Sequence, residues 1–84
     1  MRFTVVWMEE AEEELAKIWY RSKRQHAIAS AANAVDMELK INAHLKGRQK
    51  ENDRVLIIRP LAILYHISMD DRLARVLSIA EETN

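Results

Sequence analysis

The sequence predicts an α+β domain in which one antiparallel sheet packs against an antiparallel helical hairpin, in the order β-α-α-β-β-β. Three observations predict it. The last third, from Asp53 to Ile79, reads as three short apolar runs, DRVLIIRP, LAILYHIS and RLARVLSI, separated only by Pro60 and by Met69-Asp70-Asp71. A β-branched and aromatic run, RFTVVW, stands near the start. Between them lie two long stretches whose apolar residues recur at helical spacing. With 84 residues there is material for one core, so a single domain over 1–84 is expected.

The first strand, Arg2 to Trp7, places Phe3, Val5 and Trp7 on one face and Thr4 and Val6 on the other. Both faces are largely apolar, which predicts a strand inside the sheet or joined to the edge of the later strands. Met8 to Ser22 follows as a helix, with Ala11, Leu15, Ile18, Trp19 and Ser22 on one stripe. Glu9, Glu10, Glu12, Glu13 and Glu14 crowd its start and Arg21, Lys23 and Arg24 its end, as the helix dipole favours. We read the glutamates as a solvated helix start. Trp7 and Trp19 are expected in the core or at the helix–sheet contact.

A second helix is predicted from His26 to Leu45, with Ile28, Ala31, Val35, Leu39, Asn42 and Leu45 on its stripe. The small residues of AIASAANA let the two helices approach closely as a hairpin. Gly47 suits the left-handed position after the helix end, and Gly47 to Asp53 reads as a polar loop. Pro60 cannot donate to a ladder and is placed in the turn between two strands. The short connections then predict a meander whose second face is free to be concave or to meet a partner.

Composition removes several kinds of chemistry. No cysteine is present, which excludes disulfides, thiolate metal sites and cysteine nucleophiles, and suits a reducing, cytoplasmic setting. One glycine leaves no phosphate-binding loop. The short apolar run at the N-terminus is followed at once by acids, so neither a signal peptide nor a membrane span is expected. His26, His44 and His66 show no metal-ligand spacing, and no metal or cofactor is expected. His26 and His44 read as surface or capping histidines.

Thirteen basic and thirteen acidic residues give a formal net charge of zero, so nucleic-acid binding must rest on local clustering. Arg48 and Lys50 lie in the loop beside Lys46, Arg54 and Arg59 flank a strand, and Arg72 and Arg75 lie on the last one. Together they could position a phosphate. His66, beside Tyr65 and opposite the Arg72–Arg75 strand, is the candidate to move a proton there. The competing reading pairs Arg54 and Arg72 with Asp53, Asp70 and Asp71 as exposed salt bridges.

Taken in order, several strings resemble the RelE/ParE toxin superfamily of bacterial toxin–antitoxin modules. They are Val6-Trp7 before Ala11–Leu15, Ile18-Trp19, Val35-Asp36 with Leu39, and Arg54-Val55-Leu56. Pro60-Leu61, Leu64-Tyr65, and Asp71-Arg72 leading to Arg75-Val76-Leu77 complete the series. The resemblance covers nearly the whole chain. It implies a β-α-α-β-β-β fold and a small toxin neutralised by a cognate antitoxin. RelE-like members bind messenger RNA in the ribosome on the concave sheet face, where basic residues and a late tyrosine support cleavage. ParE-like members act on DNA gyrase without cleavage residues.

The chain departs from the ribonuclease pattern at three places. Ala62 stands where a basic residue often follows Pro-Leu, Ile79 leads into Ala80-Glu81-Glu82 instead of a basic run, and the late tyrosine has no counterpart. The expectation is therefore a toxin that acts by macromolecular binding. One alternative is a ribosome-dependent endoribonuclease using His66 or Tyr65 with Arg54 and Arg75. The other is a non-toxic relative kept as a binding module. Exposed sheet edges also allow a homodimer.

Overall fold

The structure, a computed structural model, describes residues 1–82; the chain end, where the resemblance places a tyrosine, lies outside the described residues. Strand β1 (Thr4–Trp7) leads into helices α1 (Glu9–Arg21) and α2 (Gln25–Leu39). A short 3-10 turn (Ala43–Leu45) precedes β2 (Arg48–Lys50), β3 (Asp53–Ile58), β4 (Leu61–Ser68) and β5 (Leu73–Glu81). The sheet order is β1-β5-β4-β3-β2. β2 to β5 form an antiparallel meander, and β1 returns to pair in parallel with β5. β1 is thus an edge strand. Its apolar faces do not mark an interior position: Phe3 is buried, Val5 and Trp7 pack against the core, and Val6 is half-buried on the other face.

Register decides which side chains reach the helices. Tyr65 lies opposite Arg54 on β3 and Val76 on β5, and His66 lies opposite Arg75. Between Leu64 and Tyr65 the β5 partner steps from Ser78 to Val76, so Leu77 is the extra residue of a bulge. Leu61, Ile63, Tyr65, Ala74, Val76 and Ile79 are buried beneath α1 and α2, together with Ala11, Ile18, Ile28, Ala31, Val35 and Leu39. The α1 stripe predicted from spacing is thus the packed one, except that Trp19 remains 42% exposed.

Three local expectations are corrected. The second helix ends at Leu39, not Leu45, because Lys40–Asn42 turns to meet the N-terminal strand. Phe3 N–H donates to Lys40 O and Asn42 N–H to Met1 O, both at 2.8 Å, and Asn42 takes φ 54°. The polar loop contains β2, whose hairpin turns on Glu51 at φ 56°. Gly47 takes the expected left-handed position at φ +63°, but after the cap of the 3-10 turn and not of α2; a Cβ there would lie 2.2 Å from Val55 O, so glycine is also needed for close approach to β3.

Among the five glutamates at the start of α1, Glu14 is not merely solvated. Its Oε1 accepts Ile79 N–H at 3.0 Å and ties the helix to β5. Glu81 and Glu82 are also engaged, with Arg24 at 2.9 Å and Arg59 at 3.5 Å. Among the described residues, no helix is long and apolar enough to cross a membrane.

Candidate functional site

The sheet face away from the helices carries a charged row. Lys50 pairs with Asp53 across β2 and β3, His66 of β4 follows, Arg75 of β5 lies opposite His66, and Val6 of β1 closes the row. His66 Nδ1 lies 2.8 Å from Asp53 Oδ1, with the two side chains 42% and 29% exposed. Against the Asp53 carboxylate Nδ1–H is the donor, which leaves Nε2 as the ring nitrogen without a partner among the described residues. Arg75 has no ion-pair or hydrogen-bond partner among the described residues. Arg48 is exposed at one end of β2, and Arg72 is exposed at φ 54° in the β4–β5 turn.

Arg54 and Tyr65, expected on the same surface, are on the other one. Strand alternation turns both toward the helices. Tyr65 is fully buried, and its hydroxyl lies 2.8 Å from both Ala43 O and Lys46 O. Burial raises its pKa, with a smaller opposing pull from the Arg54 guanidinium. Arg54 Nε donates to Lys46 O at 2.7 Å and Nη1 to Gln49 Oε1 at 2.8 Å. The two residues hold the 43–49 segment against the sheet. The predicted salt bridges do not form either: Asp53 pairs with His66, and Asp71 accepts from Ser68.

His44 is not simply a surface residue. Its ring tilts on Phe3 at a centroid distance of 5.3 Å, and its buried Nδ1 has no hydrogen-bond partner. Among the described residues no group of three or more His, Asp or Glu side chains could hold a metal ion.

Past the charged row the middle of the same sheet face is apolar, flanked by Arg48 opposite Val55 and Ser78 opposite Leu64. Val55, Leu64, Ile57 and Ala62 are adjacent in register, with Ala80 beyond them. A second surface was not legible in the sequence. A groove of about 750 Å³ runs between α1 and α2, with Leu15, Ala16 and Trp19 on one wall and Ile28, Ala29 and Ala32 on the other. Trp7 also lines the groove, and its Nε1 donates to Asp36 at 3.3 Å. Tyr20 projects over it, 81% exposed. The small residues that permit close helix packing instead line a channel. The run of alanines and the off-stripe Tyr20 were the sequence signal for it.

The fold is shared with solved structures. The chain superposes on the RelBE2 toxin–antitoxin complex of Mycobacterium tuberculosis with a TM-score of 0.78 and 15% identity, covering 100% of this chain and 95% of that one. The ParDE toxin–antitoxin system of P. aeruginosa gives 0.70 and 14%, covering 98% of each. The chain has the RelE/ParE toxin fold. TrmO from Pseudomonas aeruginosa also matches, with a TM-score of 0.63 and 20% identity, over 94% of this chain but 35% of that one. No family model and no curated protein sequence matches the chain. Within this RelE/ParE fold, the helix-side placement of Arg54 and Tyr65 leaves His66, Arg72, Arg75, Arg48 and Lys50 as the predicted residues at the open sheet face or its rim.

Proposed function

We propose that this protein is the toxin component of a type II toxin–antitoxin module, cytoplasmic, and neutralised by an antitoxin that seats an amphipathic helix in the α1–α2 groove. The observation that carries this reading is the groove itself. Its lining is mostly apolar, with Glu12, Asn33 and Asp36 as the polar members, and it is bordered by two exposed aromatic side chains, Trp19 and Tyr20, that the fold does not bury. Isolated exposed apolar residues need no explanation, but a contiguous apolar channel in a monomer marks a partner site. The fold supports the same reading, since RelBE2 and ParDE are toxin–antitoxin assemblies.

Action by macromolecular binding, with DNA gyrase or the translating ribosome as target, fits the buried Tyr65 and the outward Ala62 and Ala80. Induced expression of the chain alone should arrest bacterial growth, and co-expression of the product of the adjacent reading frame should restore it. Tyr20→Ala should weaken capture of that product about tenfold or more, as loss of an interfacial aromatic anchor does. It should leave folding stability within about 0.5 kcal/mol, as expected for an exposed residue. Normal growth with soluble protein in the cells would sink the toxin assignment and favour a non-toxic binding module.

One observation favours a second reading. The Asp53–His66 pair beside the partnerless Arg75 has the parts of a proton-transfer site next to a phosphate contact. In that reading the protein is a ribosome-dependent endoribonuclease. Messenger RNA cleavage in translating extracts should then be lost in both His66→Ala and Arg75→Ala. Inhibited translation with intact message, or DNA gyrase inhibited in a supercoiling assay, would remove it.

A further inference from the structure

The two ends of the α1–α2 groove differ in chemistry. Nearest the turn between the helices it is lined by Trp19, Tyr20, Ile28 and Ala29. At the other end it is lined by Trp7, Glu12, Asn33 and Asp36. The helical hairpin creates this second end, since it brings the start of α1 beside the later part of α2. Glu12 and Asp36, far apart in the chain, thereby share one rim. The macrodipoles of two helices that double back on each other oppose one another, so side chains set the sign at each end.

The polar end is rich in acceptors. Asp36 is engaged through both oxygens: Trp7 Nε1–H donates to Oδ1 at 3.3 Å, and Lys40 Nζ pairs with Oδ2 at 3.1 Å. Lys40 therefore compensates Asp36 and not Glu12. Glu12 is exposed, and its carboxylate has no ion-pair partner among the described residues. Glu9, three residues earlier on the same side of the helix, adds a second exposed carboxylate. Asn33 adds an amide that accepts through Oδ1. The helix dipole favours an acid in the first turn of α1 on any side of the helix. Glu12, however, stands on the side where a partner must bury apolar surface. A carboxylate covered there without a counter-charge loses its water and gains nothing in return.

We infer that the Glu12 end of the groove is a subsite for a basic side chain of the partner helix. The identity of that partner as an antitoxin rests on the reading above; the chemistry of the subsite does not. The α1 wall from Glu12 to Tyr20 rises about 12 Å, or about two turns. A helix laid along it sets two apolar anchors, one turn apart, over Ala16, Ala29 and Ala32, whose small side chains leave the room. One further turn along, its basic side chain reaches Glu12. Arginine suits the site better than lysine. Its planar fork gives two N–H groups to the carboxylate and keeps others for Asn33 Oδ1, and its flat face can stack on the Trp7 ring.

A double-mutant cycle between the full chain and the product of the adjacent reading frame, read by titration calorimetry, tests this. Glu12 is exposed and its carboxylate serves no ion pair within the fold, so Glu12→Gln and Glu12→Lys should leave the thermal melt nearly unchanged. Capture of the partner should weaken about 5-fold in Glu12→Gln and about 10- to 30-fold in Glu12→Lys. Each arginine and lysine of the partner's helix is then changed to alanine in turn. One of these changes should weaken binding to the unaltered chain about 10-fold but binding to Glu12→Gln less than about 2-fold, the coupling that identifies the pair. Tyr20→Ala, at the opposite end, should weaken all three Glu12 forms alike. Binding that falls with Tyr20→Ala but is equal for the three Glu12 forms would overturn the basic-side-chain subsite and leave the groove reading intact. Binding indifferent to both ends, or no complex at all, would overturn the groove reading and the subsite with it.

Discussion

At the scale of single residues, Tyr65 shows how one register position decides between chemistry and structure. It lies next to His66 in the chain, but strand alternation sends His66 to the open face and Tyr65 into the core. From sequence the two read as one site, because adjacency along the chain is visible and the face of the sheet is not. Tyr65→Phe removes the one hydroxyl hydrogen shared by the carbonyls of Ala43 and Lys46, which keep Lys46 N–H at 3.3 Å and Arg54 Nε at 2.7 Å as their other donors. It should cost about 0.5–1.5 kcal/mol, the net worth of one hydrogen bond, read as a lower denaturant midpoint at unchanged slope. Its raised pKa adds a pH signature. The unfolded tyrosine ionises near its ordinary value of about 10, while the folded one holds its proton longer, so the folded state binds more protons at high pH. This contribution to stability is complete below about pH 10 and is lost as pH rises through the raised folded value. The phenylalanine variant should therefore lose stability less steeply above about pH 10. Gly47→Ala is the harsher change: it adds a Cβ 2.2 Å from Val55 O at φ +63°. It should cost about 2–4 kcal/mol or prevent folding, since left-handed strain and a backbone clash add together.

At the scale of elements, the legible pieces were those whose apolar residues alternate or recur by turns. β3, β4 and β5 were readable within a residue or two because Leu, Ile and Val fill their core-facing positions. α1 was readable because Ala11, Leu15 and Ile18 share its packed face. β2 was not, since Arg48-Gln49-Lys50 has no apolar residue and is a strand only through its hydrogen bonds to β3. The end of α2 was misplaced for a tertiary reason. The spacing continues through Asn42 and Leu45, but the backbone of Met1–Phe3 competes for residues 40–42 and wins. Asn42 then bends the chain at φ 54°, where asparagine is among the better-tolerated residues. Glu51 meets the same demand at φ 56° without that advantage. Glu51→Gly should therefore relieve left-handed strain and stabilise the protein by about 0.5–1 kcal/mol after the entropy cost of glycine. A rise in Tm checks it, and no gain would mean that Glu51 is held there without strain.

At the scale of the molecule, a net charge of zero conceals a division of surfaces. The acidic start of α1 lies on the helical layer, the α1–α2 groove is mostly apolar, and the open sheet face carries Arg48, Lys50 and Arg75, with Arg72 at its rim. Asp53 sits within that basic set and is engaged with His66. These surfaces make opposite predictions for salt. Seating an apolar helix in the groove releases few ions, so capture of a protein partner should change less than about threefold between 50 and 200 mM salt. Single-stranded RNA on the open face can meet at most four basic side chains. Counterion release then limits the slope of log K against log salt to about −3, from about −0.7 per phosphate contact. Fluorescence anisotropy of a labelled oligonucleotide over that salt range measures the slope, and Arg75→Ala should reduce it by about 0.7. A slope well beyond −3 would require cationic residues elsewhere, such as Arg21, Lys23 and Arg24 beside the helical turn, and would move any nucleic-acid contact off the His66 face. A slope near zero with strong partner capture would instead leave the groove as the working surface of the molecule, as the buried Tyr65 and the neutral total charge already favour.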